Sequence, residues 1–270
     1  MEDNKEETFS YSNRKMLILL SIPLLLLAAW GWWIFSLHLC LNRFEREIRS
    51  AGEPFTIEEL DKYYTSVPDD ENAANLYLEA GRNYVDTKDY KLVLIAGSAE
   101  LFPGDKIPPD ILAATREFLN DNEATIALIE KATEKGKCRF PINLKNGFKI
   151  EFRHLQWLPG AAQRLAVKSL IQAEDGNCGR ALETSAKIFS VGRSLENEPV
   201  LISCLIAWGF ESIALSNFET LLSSYDFTGE ELLHFENRIP MGDDVQLMGA
   251  LIGERAKIVN ISDKDFMPTL

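Results

Sequence analysis

The sequence predicts an all-α protein: a single N-terminal transmembrane helix followed by an irregular stack of αα-hairpins. Three observations predict it. No charged residue lies between Lys15 and Arg43. From residue 55 onward, apolar residues recur at spacings of three and four, the period of a helix with one buried face. Clusters of Gly, Pro, Asn and Asp punctuate these runs at short intervals, as turns between helices do.

The uncharged segment, Met16 to Leu41, is 26 residues long. As a helix it extends about 39 Å, whereas a hydrocarbon core takes about 20 residues. The expected layout is a cytoplasmic tail over 1–15, a membrane anchor over 16–41, a juxtamembrane linker over 42–54 and a helical soluble domain over 55–270. A buried core helix is a poor alternative. The run is apolar all round and is flanked by Arg14-Lys15 on one side and Arg43, Arg46 and Arg49 on the other. A cleaved signal peptide fits badly too. Ala28-Ala29 is a weak cleavage site, and Trp30-Gly31-Trp32-Trp33 beyond it is too apolar to begin a soluble protein. Leu39 stands before Cys40 where lipoprotein processing needs a small residue. Pro23 is tolerable within a membrane helix. Trp30, Trp32 and Trp33 suit the headgroup region, as does His38. Basic residues are balanced across the span, but Arg14-Lys15 abuts it directly. That favours a signal-anchor with its short tail inside and its C-terminal part exported.

The formal charge is −13. Such a surface repels phosphate backbones, so nucleic-acid binding is not expected. The expected partners are the lipid bilayer and a protein of unknown identity. Cys40, Cys138, Cys178 and Cys204 form no CxxC pair and have no histidine at ligand spacing, so neither a metal nor a cofactor is expected. Three cysteines follow the anchor, which leaves room for at most one disulfide bridge.

Residues 42–50 are helical in character and extend the anchor outward until Gly52-Glu53-Pro54 interrupts. Thr56 and Glu59 then form a capping box, with Phe55 and Leu60 as a hydrophobic staple. Asp69 is expected to cap the next helix, with Asp70 and Glu71 at its positive end. Ala73, Leu76, Tyr77, Ala80 and Tyr84 form its inner face. The stretch 86–109 reads as a loop. A helix from Pro109 to Lys135 follows, bent near Asn120-Asp121-Asn122 and stopped by Gly136. Residues 138–153 contain the alternation Phe148, Ile150, Phe152 and the turn pair Asn146-Gly147. They form either a small β-hairpin or a structured loop.

Leu158, Ala162, Leu165 and Ser169 trace the inner face of another helix, and Asp175-Gly176-Asn177 turns the chain into the next. After Pro199, the residues Leu201, Leu205, Trp208, Ser212 and Leu215 predict a long inward face. Val200 to Phe210 is apolar nearly all round, about half a membrane span, and reads as the central core helix. Thr228 and Glu231 form a second capping box. A last helix is expected from Asp243 to Val259. The pair around Gly176 is similar in layout to a tetratricopeptide unit, but its residue pattern is not met and no fixed period emerges.

YYTSVPDDENAANLYLEA at 63–80, CRFP at 138–141, RLAVKSLIQAEDGNCGRALE at 164–183, LISCLIAWGFESIAL and GERA at 253–256 occur in this order. Together they resemble a group of uncharacterised, membrane-anchored helical proteins of planctomycete and verrucomicrobia-like bacteria. The resemblance covers most of 55–258. It implies a bacterial inner-membrane location, carries no catalytic residue, and suggests that similar chains continue past GERA, making this a short or truncated member.

No GxSxG, HExxH, Walker-type or GxGxxG pattern occurs. His154 and His234 fall in different helices and read as partly exposed or packing residues. Glu254-Arg255 reads first as a surface ion pair, with a buried ion pair or a polar clamp as the alternatives. The leading expectation is therefore a non-enzymatic interaction or scaffold module. The alternative is an envelope hydrolase of glycosidase type using two carboxylates, with no specific pair identifiable.

Overall fold

The computed structural model describes residues 3–86, 93–94, 104, 106–236 and 245–266. Among them are ten α-helices and no strand. The chain divides into two compact units, Met1–Phe55 and Thr56–Leu270.

The first unit is dominated by one helix, α1 (Asp3–Ser50), which runs unbroken through Pro23. Met16 and Leu41 both lie within it, so the apolar run and the polar stretch after it share one helical register. Every residue from 21 to 44 is exposed. Beyond Leu41 the helix carries i,i+4 pairs, Arg43 with Glu47 at 3.0 Å and Arg49 with Glu45 at 2.8 Å. Such pairs support a solvated helix by a few tenths of a kcal/mol each, about 0.3–0.5.

The second unit begins at α2 (Ile57–Tyr63). Thr56 Oγ1 accepts from the Glu59 N–H, and the Glu59 carboxylate accepts from the Thr56 N–H, closing the capping box. The next helix, α3 (Ala73–Arg82), starts later than expected. Asn72 is its N-cap, not Asp69. The reason is a turn: the Glu71 N–H donates to the Pro68 carbonyl at 3.0 Å, which takes Asp69 and Asp70 out of the helix. Asn72 is better placed, because its side chain serves two segments at once. Its Oδ1 accepts from the Ala74 N–H at 3.1 Å and the Arg139 N–H at 2.9 Å, and its Nδ2 donates to the Arg139 carbonyl at 3.0 Å. The inner face of α3 buries Ala73, Ala74, Tyr77 and Ala80.

Where one bent helix was expected, two occur: α4 (Pro109–Asp121) and α5 (Glu123–Thr133). They divide at Asn122, which is fully buried. Its amide donates to the Val85 carbonyl at 3.0 Å and accepts from the Val85 N–H at 3.1 Å, as a strand's peptide group would.

No β-hairpin forms over 138–153. Phe140, Ile142 and Leu144 send alternate side chains into the core, but the segment pairs with no second strand. Asn143 accepts from the Lys145 N–H, and this local bond opens a 3₁₀ helix over Leu144–Lys149 that swallows the Asn146-Gly147 turn. The sole bridge among the described residues is a parallel one between Asn72 and Lys137.

The core is built by α6 (Arg153–Glu174), α7 (Cys178–Arg193) and α8 (Leu201–Ser224), each packed extensively on the next. Leu158, Ala162, Leu165 and Ser169 of α6 are all fully buried. Gly176, at φ +78°, closes α6 in a Schellman arrangement: the Asn177 N–H donates to Gln172 and the Gly176 N–H to Ala173. A side chain there would strain the left-handed backbone.

The orientation of α8 differs from expectation. Its inward residues are Ser203, Cys204, Ala207, Phe210, Ala214, Asn217 and Leu221. Leu205, Trp208 and Leu215 face outward, so α8 is not a fully buried central helix. Close packing is the reason. A Cβ on Gly192 of α7 would lie 3.3 Å from the Ala207 carbonyl oxygen, so small side chains must occupy this side of α8. Asn217 accepts from Ser169 Oγ at 2.8 Å and donates to the Ala166 carbonyl at 3.2 Å, which keys α8 onto α6.

Two helices complete the unit, α9 (Gly229–Glu236) and α10 (Val245–Phe266). The expected start of the last helix at Asp243 lies outside the described residues, as do most of 86–109 and the side chain of His234. Gly253 of α10 approaches the Pro199 carbonyl so closely that no Cβ fits there.

Candidate functional site

A cavity of about 380 Å³ opens between α3, α4, α5 and α6. The helical repeat places Trp157, Gly160 and Arg164 on one face of α6, three and four residues apart. Tyr84 follows the C-cap of α3. The segment that carries it is fastened by the Asn122–Val85 bonds and by Thr125 Oγ1 donating to the Asn83 carbonyl at 3.0 Å. The Arg164 guanidinium carbon lies 3.6 Å from the Tyr84 ring centroid, a close cation–π contact. Two glycines shape the walls. A Cβ on Gly81 would come within 2.8 Å of the Trp157 ring, and one on Gly160 within 2.6 Å of the Arg164 guanidinium. The cavity is thus a concave space with ring walls and a few polar side chains, Gln156 and Gln163 among them. That composition suits binding of a flat or elongated group by stacking and hydrogen bonds.

A second polar constellation is sealed in the core. Glu198 and His154 are 1% and 3% exposed. Of the two readings expected for His154, partly exposed or packing, the second holds: it is buried, its ring stacked on Phe140 with centroids 4.3 Å apart. Its Nε2 lies 2.8 Å from Glu198 Oε1, within ion-pair range, although the two atoms make no aligned hydrogen bond. Ser203 Oγ donates to Glu198 Oε2 at 2.5 Å. Burial, reinforced by the Glu198 charge, pushes the Tyr64 hydroxyl and the Cys138 thiol well above their ordinary ranges. The chain therefore holds Ser, Glu and His together, but in the wrong order for nucleophilic catalysis. In a serine triad the histidine contacts the hydroxyl and takes its proton. Here the hydroxyl donates to the carboxylate, and none of the three residues lines any of the cavities described. Sequence reasoning missed Glu198 and Ser203: their mutual bond is local, but Glu198 meets His154 only through tertiary packing.

Carboxylates gather in one further place. Glu183, Glu230 and Glu231 line a cavity of about 450 Å³ between α7 and α9, beside Arg180. Glu231 belongs to the second capping box and accepts from the Thr228 N–H at 2.8 Å and from Thr228 Oγ1 at 2.9 Å. These bonds hold its carboxyl below the ordinary range. A glycosidase general acid needs the opposite shift.

Elsewhere the predicted residues are dispersed. Trp30, Trp32 and Trp33 are exposed on α1. Glu254, expected in a surface pair, is a polar clamp: it accepts from the Leu201 N–H at 3.0 Å and from Lys257 at 2.6 Å, holding α10 to the start of α8. All four cysteines are free. Among the described residues, no group of three His, Cys, Asp or Glu side chains is arranged to hold a metal ion. Comparison with protein families, with curated proteins and with solved structures finds no match for this chain.

Proposed function

We propose that this chain is a single-pass signal-anchor protein of the bacterial inner membrane. Its C-terminal body, a stack of αα-hairpins on the periplasmic side, acts as a non-enzymatic interaction module for a protein partner. One observation carries the reading: residues 22–41 of α1, mostly large and apolar, are exposed without interruption. Apolar area of that extent is not stable in water and calls for lipid. The ring-walled cavity beside Trp157 and Tyr84 supplies the concave feature that a partner's side chain would enter.

The test is fractionation of the full-length chain. It is expected in the carbonate-washed membrane pellet, with a C-terminal tag digested by protease added to intact spheroplasts. Recovery in the soluble fraction, or loss of the first thirty residues, overturns the anchor. Native-membrane crosslinking is expected to trap one reproducible partner, and repeated failure to trap any overturns the module. An envelope hydrolase is the second reading, favoured by the carboxylates between α7 and α9. Release of soluble fragments from isolated cell wall that is lost in both Glu183→Gln and Glu230→Gln would establish it over the first.

A further inference from the structure

The outer face of α8 is an unusual surface for a body in water. Ile202, Leu205, Trp208 and Leu215 are 44%, 49%, 41% and 53% exposed. With Gly209 they fall on one side of the helix; the first turns of that side, up to Gly209, are apolar, and its midline turns polar from Ser212 through Ser216, Glu219 and Ser223, with Leu215 at its edge. The helix as a whole is long and apolar enough to be mistaken for a membrane span, yet its opposite side is committed to α6 and α7. It therefore cannot cross a bilayer without dismantling the core. α10, clamped to its start through Glu254, carries a stripe of its own at Met248, Leu251 and Ile258.

We propose that this outer face of α8 lies on the bilayer that holds α1, with Trp208 at the headgroup level and Leu205 and Ile202 at the acyl boundary. The inference rests on the anchored reading above. Three facts favour lipid as the occupant. The body cannot drift away, because residues 51–56 alone join α1 to α2, a contour of at most about 20 Å. The polar end of α1 beyond Leu41 is nine residues, a rise of about 13.5 Å. The chemistry of the face also suits an interface: a tryptophan among aliphatic side chains, with one apolar side and one committed side. α8 has Glu211 and Glu219 and no lysine or arginine. The contact is therefore apolar and does not depend on anionic headgroups.

Nitroxide labels on the full-length chain in phosphatidylcholine vesicles test this. Cys40 and Cys178 are replaced by serine, and the buried Cys138 and Cys204 are left in place. Labels are placed singly at Leu205→Cys, at Leu26→Cys in the anchor and at Glu117→Cys on exposed α4. Leu205 is expected to be several-fold more accessible to oxygen than to a water-soluble nickel chelate, as Leu26 is, and Glu117 the reverse. If Leu26 reads as lipid and Leu205 reads like Glu117, the docking of α8 is overturned while the anchor stands. If Leu26 reads as water, both fall. Spin–spin broadening at Leu205 that disappears on dilution with unlabelled chain would assign the face to a second copy and overturn the lipid contact.

Discussion

Among the described residues two helices, α1 and α8, are long and apolar enough to cross a membrane, and the fold uses them in opposite ways. In α1 the apolar window has no buried residue. In α8 a third of the window is buried. Average apolarity does not separate them; the placement of small and polar residues does. α8 keeps Ser203, Cys204, Ala207, Ala214 and Asn217 on one side, where α6 and α7 come close. α1 distributes Leu, Ile, Trp and Phe all round. A helix keyed by a serine and an asparagine to fixed partners belongs in a protein core. A helix with no such key leaves its apolar side chains exposed all round.

The largest effect that can break this contrast is charge in the anchor. Leu26→Arg combined with Leu27→Arg costs about 3 kcal/mol per residue against insertion. The chain is then expected in the carbonate supernatant, whereas Leu205→Arg on α8 leaves it in the pellet. Next comes the inner side of α8. Phe210→Ala is expected to lower the stability of the body by about 3–5 kcal/mol in denaturant unfolding, and Leu215→Ala to stay within about 0.5 kcal/mol. Equal effects would erase the distinction between the two sides. Glu198→Ala removes one member of a buried pair and the acceptor for Ser203 Oγ at the start of α8. A loss of about 3 kcal/mol is expected by the same measurement.

The smallest effect is one of pH. The Glu231 carboxyl sits below its ordinary range because Thr228 donates to it from backbone and side chain. A lowered folded-state value favours the fold above the ordinary glutamate range, and that support disappears as pH falls through the folded-state value. Wild type is therefore expected to lose α9 docking more steeply than Thr228→Val as pH is lowered below the ordinary glutamate range, followed by amide exchange at Gly179. Parallel profiles would count against the cap as the source.

Much of the helical pattern was legible because it is local. The two capping boxes, the turn at Gly176 and the face of α6 all depend on residues within one turn of each other. The inward side of α8 was not legible. Large apolar side chains ordinarily mark the core, and here the tight approach of α7 reverses that rule by demanding alanine and serine inside. The cap at Asn72 was hidden by Asp69 and Asp70 just before it, each a good cap in isolation. Glu198 and Ser203 are near neighbours at the start of α8, but His154 reaches Glu198 from α6, 44 residues earlier, so no spacing announces the group. The cavity beside Arg164 was equally silent, since its walls come from four helices.

Asn72 and Asn122 each act as a borrowed peptide group, fastening an irregular segment to a helix through both amide atoms. Deamidation would change a single nitrogen to oxygen in either one. The replacement carboxylate has no proton to offer the carbonyl of Arg139 or Val85 and would turn a negative charge toward it. Such a change would therefore loosen the clasp it strikes, freeing the segment around Tyr84 in one case and the segment at Arg139 in the other.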